Sequence, residues 1–136
     1  MSVRGVRGAI QVEADEPDSI LSATKTLLLA MAELNPGLDP KELASILFTV
    51  TPDLGSAYPA EAARQLGWSD VALMCAQEIP VPGGMPRVVR ALAHWNTDRP
   101  QASVQPAYLG AAHALRPDRA AQPPVAALQN DPGRAA

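Results

Sequence analysis

Met74-Cys75-Ala76-Gln77-Glu78, followed by a Pro82-Gly83-Gly84 turn and a return through Arg87 to Arg90, is the stretch that organises this chain. Read as antiparallel strands over 71–77 and 87–95 joined across that turn, it brings Glu78 at the end of one strand close to Arg90 on the other. A thiol, a carboxylate and a guanidinium then lie within reach of one another. The last two are a pair able to read a hydroxyl beside an anionic oxygen.

Working outward, Val3, Val6, Ile10 and Val12 show no helical stripe, so Ser2 to Val12 reads as a first strand, with glycines where another backbone comes close and with Arg4 and Arg7 on opposite sides. A helix opens at Glu16-Pro17 with proline in its first turn. It carries Ile20, Leu21, Thr24, Leu27, Leu28, Met31 and Leu34 at helical spacing and stops at Asn35-Pro36-Gly37. Asp39-Pro40-Lys41-Glu42 has the form of a capping box opening a short helix, and 45–50 reads as a strand ended by Thr51-Pro52-Asp53. Tyr58-Pro59 starts another helix, closed by Gly67; 71–77 and 88–96 are long strands, and 105–115 is expected as a fifth. This order predicts an α+β fold, a mixed five-stranded sheet with helices on one face. One small sheet with so few helices leaves its other face uncovered, which calls for oligomerisation.

Composition narrows the function. The chain has 136 residues, enough for one domain, read as 1–118 with a flexible Ala/Pro-rich C-terminal tail over 119–136. Its net charge of -3 supplies no basic field for nucleic acid, and its 11 cationic residues are 9 Arg and 2 Lys, a bias suited to carboxylate recognition. One cysteine and two separated histidines, His94 and His113, offer no zinc spacing, so no metal site is expected. No apolar run approaches the roughly 18 residues needed to span a bilayer, and the expected location is cytoplasmic, with no membrane partner.

Ten fragments in order, Arg4-Gly5-Val6-Arg7-Gly8-Ala9, Thr51-Pro52-Asp53-Leu54, Tyr58-Pro59-Ala60, Gly67-Trp68, Cys75-Ala76-Gln77-Glu78, Gly83-Gly84, Arg90, Thr97-Asp98, Tyr108-Leu109 and Leu115-Arg116-Pro117-Asp118, together resemble the monofunctional, trimeric chorismate mutases of the AroH class. The resemblance covers residues 1 to 118. It implies a homotrimer forming a pseudo-α/β-barrel, with active sites between subunits, acting on chorismate in the shikimate route to the aromatic amino acids. The reaction implied is a Claisen rearrangement to prephenate that needs no cofactor.

By the same resemblance, Arg90, Glu78 and Arg7 are the catalytic residues. Arg90 would meet the ether oxygen and a substrate carboxylate, Arg7 and Tyr108 a carboxylate, and Glu78 with the backbone near Cys75 the ring hydroxyl. Cys75 is then a binding residue and not a nucleophile. Tyr58, Ala60, Arg64, Leu73 and Met74 would line the cleft from a different subunit, and Leu115 and Arg116 would close over it. Two positions depart from the family pattern: Glu61 stands where a lysine is common, and Met74 where a smaller polar residue is. Glu61 is expected to turn outward or to pair with Arg64.

Taken without the resemblance, these residues have plainer roles. Cys75 is a small core residue, Glu78 and Arg90 a cross-strand ion pair of roughly 0.2 to 1 kcal/mol, and Tyr108 a packing residue. Two other function classes stay open. One is a trimeric imine or enamine deaminase with an interface arginine, whose glycine-arginine segments are missing here. The other is a non-catalytic module sensing a carboxylate metabolite, which would tolerate loss of Arg90 or Glu78.

Overall fold

A computed structural model describes residues 1–116. The expected tail over 119–136, and the last two residues of the expected domain, lie outside the described residues. The elements run β1 (Val3–Gln11), α1 (Pro17–Leu34), a 3-10 turn (Pro40–Glu42), β2 (Leu43–Val50), α2 (Ala60–Gln65), β3 (Ala72–Gln77), β4 (Val88–Asn96), a 3-10 turn (Gln101–Ser103), β5 (Ala107–Leu109) and a last 3-10 turn (Gly110–Leu115). They form the expected mixed five-stranded sheet, in the order β3-β2-β4-β1-β5.

That order overturns the hairpin. β3 and β4 are both strands, but β2 lies between them, parallel to β3 and antiparallel to β4. The segment from Glu78 to Arg87 holds Pro80, Pro82 and Pro86, far from the two-residue turn of a tight hairpin. β2 buries Ile46 and Phe48 and is better satisfied with a partner on each edge, while the crossover through α2 is long enough to return β3 parallel to it.

α1 begins and ends as its residues require. Pro17 occupies the first turn, where its missing N–H costs nothing. Ile20, Leu27, Leu28 and Met31 fill the stripe that packs on Val6, Ile10, Ile46, Phe48 and Val89 of the sheet, and each such side chain contributes about 1.5–3 kcal/mol by leaving water. Gly8 is required by this packing, since a Cβ there would lie 2.8 Å from both Leu27 Cδ1 and Met31 Sδ. The close approach is therefore by helix side chains rather than by another backbone. Asn35 closes the helix and is fully buried: its Nδ2 donates to Met31 O (2.8 Å) and Gln105 O (2.9 Å), and its Oδ1 accepts from Gln105 N (2.8 Å).

Two smaller expectations are corrected. Asp39 does not complete a reciprocal capping box; its carboxylate accepts from Lys41 N (3.0 Å), and the turn is a single 3-10 turn. The fifth strand keeps only Ala107–Leu109, paired in parallel with Gly8–Ile10. Gly110 adopts a φ of 57°, a left-handed conformation that ends the strand and sends the chain into the last 3-10 turn.

Candidate active site

In β1, Val6 and Gly8 face α1, so Arg7 and Ala9 face the other way. Partners in register share a face. Ala9 stands opposite Arg90 and Tyr108, Arg7 opposite Leu92, and Thr49 opposite Arg90. The two neighbouring β1 partnerships of β4 and β5 thus deliver Arg7, Arg90 and Tyr108 to one patch of the face that α1 leaves open. Glu78 reaches it from one residue beyond β3, where its backbone N–H donates to Val50 O (2.8 Å). The ion pair expected from a hairpin is therefore formed across an intervening strand, with Arg90 Nε 3.6 Å from Glu78 Oε1.

These residues line a cleft of about 220 Å³ with Leu47, Thr49 and Leu92. Thr49 Oγ1 donates to Glu78 Oε1 (2.6 Å), so the threonine and the guanidinium engage the same oxygen. At 45% and 29% side-chain exposure, Arg90 and Glu78 remain open to a ligand, and their mutual attraction is screened to a modest value. Tyr108 differs in being buried, at 4% exposure, within a second small cluster with Ala9, Val88 and Ala112, against which Met85 and Leu115 pack. The last 3-10 turn folds back here and closes one end of the open face. A second hollow of about 540 Å³ adjoins the first, sharing Glu78 and Arg90 and lined further by Thr51, Asp53, Val81 and Leu115.

One chain brings together Arg7, Glu78, Arg90 and Tyr108, with Leu115 alongside. It does not bring the others to them. Tyr58 is 74% exposed, Ala60 is buried in α2, and Met74 projects from the open face at 67% exposure. Leu73 and Cys75 alternate with Met74, face the helices and pack half-buried against the core. Arg64 is held by Glu61, through Nε (3.1 Å) and Nη2 (2.8 Å) to Oε2, which is the pairing expected of the departure at 61. Arg116 is the last described residue and lines neither hollow. Sequence reading missed Thr49, whose place opposite Arg90 depends on β2 being central, and Asp15. Hydrogen bonds from the Ser56 side chain and from the Gly55 and Ser56 N–H groups hold the Asp15 carboxyl below its ordinary value, anchoring the loop that leads to Tyr58.

Fold and cleft together define a mixed-sheet α+β protein whose open sheet face holds a cleft lined by two arginines, a glutamate and a tyrosine. Residues 3–119 match the model of the family described as chorismate mutase type I. The chain is 58% identical over 116 residues to chorismate mutase AroH of Thermus thermophilus, covering 85% of this chain and 95% of that one. It is 40% identical over 119 residues to chorismate mutase AroH of Bacillus subtilis, covering 87% and 93%. A chorismate mutase structure from Clostridium thermocellum superposes with a TM-score of 0.79 at 44% identity, over 81% of this chain and 97% of that one. The chain belongs to the type I chorismate mutase family, and its activity class is accordingly that of an isomerase. The deaminase and sensing alternatives fall away with that assignment. No helix among the described residues is long and apolar enough to cross a membrane.

Proposed function

We propose that chorismate is rearranged to prephenate in the cleft between Arg7, Glu78, Arg90 and Tyr108. The observation carrying this reading is the convergence of two guanidinium groups, one carboxylate and one phenol on the open face, with Arg90 beside Glu78. In the rearrangement an ether C–O bond breaks as a C–C bond forms within one molecule, so no nucleophile, base or cofactor takes part. Catalysis then consists of holding the folded conformer and stabilising charge that grows on the ether oxygen. A millionfold acceleration asks for about 8 kcal/mol.

Arg90 takes the ether oxygen and, through its remaining donors, a substrate carboxylate. A guanidinium aimed at an oxygen that gains charge only in the transition state favours that state over the substrate. Arg7 and the Tyr108 hydroxyl bind carboxylate. Glu78 accepts from the ring hydroxyl, with Thr49 Oγ1 and Arg90 Nε both set against its Oε1.

The site is completed by a neighbouring copy in a homotrimer. Tyr58, Ala60 and Arg64 sit on or before α2, away from the open face, and reach a cleft only if that cleft belongs to another subunit. The N–H of Glu78 bonds to β2, so the alternation of a parallel ladder turns the N–H groups of Leu73, Cys75 and Gln77 to the free edge of β3. There the backbone at Cys75 is available to a ligand held by the adjoining subunit, while its thiol stays in the core.

The test is ultraviolet absorbance of chorismate incubated with the protein, prephenate being confirmed by acid conversion to phenylpyruvate, with Arg90→Ala alongside. Wild type should consume chorismate. Arg90→Ala should lose at least about 10²–10³ in kcat, the loss expected when a preorganised donor to a developing oxyanion is removed. An unchanged kcat with only KM raised would reduce Arg90 to a ground-state anchor.

A further inference from the structure

We infer that Asp53 is a positioning residue for Arg90. The inference rests on the catalytic role proposed for Arg90, but its observations lie outside the cleft, where β4 begins. Arg87 has a φ of 53°, the only non-glycine residue among those described with positive φ. An L side chain seldom adopts this conformation unless its surroundings impose it. What imposes it is the Asp53 carboxylate, whose two oxygens accept from Arg87 N at 3.1 and 3.0 Å.

The next residue is held from the same loop. Thr51 Oγ1 accepts from Val88 N (3.0 Å) and donates to Asp53 Oδ1 (2.5 Å), while Thr51 N donates to Val88 O (3.1 Å). From the other side, the end of β1 closes on Arg87 twice. Val12 N donates to Arg87 O (2.6 Å), and Arg87 Nε donates to Val12 O (2.9 Å). Residues 87 and 88 are therefore stitched to both neighbouring strands immediately before the strand that carries Arg90.

Position in a strand decides which face a side chain takes, and a slip of one residue would put Arg90 under the helices. The turn at Arg87 lets the chain rise out of the proline-rich segment 80–86 and still enter β4 with Val88 opposite Gln11 and Arg90 opposite Ala9. Asp53 itself is occupied by the Arg87 N–H, shared between its two oxygens, and by the Thr51 hydroxyl, which is why a carboxylate is tolerated beside the cleft. Asp53 acts on the substrate only through Arg90.

The experiment compares chorismate turnover by wild type, Asp53→Ala, the double variant Asp53→Ala with Arg87→Gly, and Arg90→Ala, with melting temperatures for each. Asp53→Ala should lower kcat by about tenfold or more with KM held within about threefold, since the interaction weakened is the one made in the transition state. Glycine takes positive φ without a steric cost, so the double variant should recover most of the lost kcat. A lowered melting temperature with unchanged kcat, or a kcat loss that glycine at 87 leaves untouched, overturns the inference. An NMR spectrum of the Arg90 Nε–H reads the positioning without substrate: Asp53→Ala should shift and broaden it, and an unmoved resonance also overturns the inference. An inactive wild type would instead refute the proposed reaction, and the resonance would still decide the role of Asp53.

Discussion

Arg90 and Glu78 meet across β2, and neither residue finds the other through the chain segment that joins them. Their meeting depends on Thr49, one residue of β2 that stands opposite Arg90 and hydrogen-bonds Glu78. Cys75 illustrates the opposite case, a residue prominent in the sequence whose side chain faces away from the chemistry. Its thiol packs half-buried against the core, so Cys75→Ser places a hydroxyl in an apolar setting without touching the cleft. The expected outcome is chorismate turnover within a few-fold of wild type, together with a loss of stability of about 1–3 kcal/mol by denaturant unfolding. Loss of turnover in a folded variant would return the thiol to the site.

Among the elements, α1 was the most legible, since a proline at its start, a stripe at helical spacing and an Asn-Pro-Gly stop all agree with what forms. The extent of Asn35's involvement was not legible. Its polarity marks a helix end, and only the fold reveals that its amide ties that end to Gln105, the approach to β5 and Tyr108. Asn35→Ala leaves the backbone groups of Met31 and Gln105 short of partners in a dry setting, at a cost of about 1–3 kcal/mol for each group unsatisfied. Thermal unfolding should show Asn35→Ala as strongly destabilised; a melting temperature equal to wild type would mean that water enters and replaces the amide. Strand pairing was misread for a physical reason. Strands adjacent in sequence pair often, and periodicity records the faces of a strand but not its neighbours, so nothing local in 71–96 announces that β2 intervenes. The fifth strand was overextended because apolar Ala-rich stretches suit a strand or a turn equally, and Gly110 decides between them through its positive φ.

For the whole molecule, the sheet's open face carries Arg7, Leu47, Met74 and Leu92, and the adjoining segment exposes Ile79 and Val81 at 79% and 64%. A monomer presenting this face to water is poorly accounted for, and the family resemblance draws Tyr58, Ala60 and Arg64 into the expected pocket from a different subunit. The geometry of one chain separates them from Arg90. In the proposed trimer the cleft of one chain is finished by α2 of the next, and complementation between two crippled variants tests this arrangement most directly. Arg90→Ala and Arg64→Ala are each expected to turn over chorismate poorly. Unfolded and refolded together in equal amounts, they form mixed trimers in which a site needs one particular subunit of each kind, so about one site in four regains both arginines. Turnover of the mixture should rise to about a quarter of wild type, with trimers confirmed by light scattering. Mixed trimers no more active than the average of their parents would contradict the shared site.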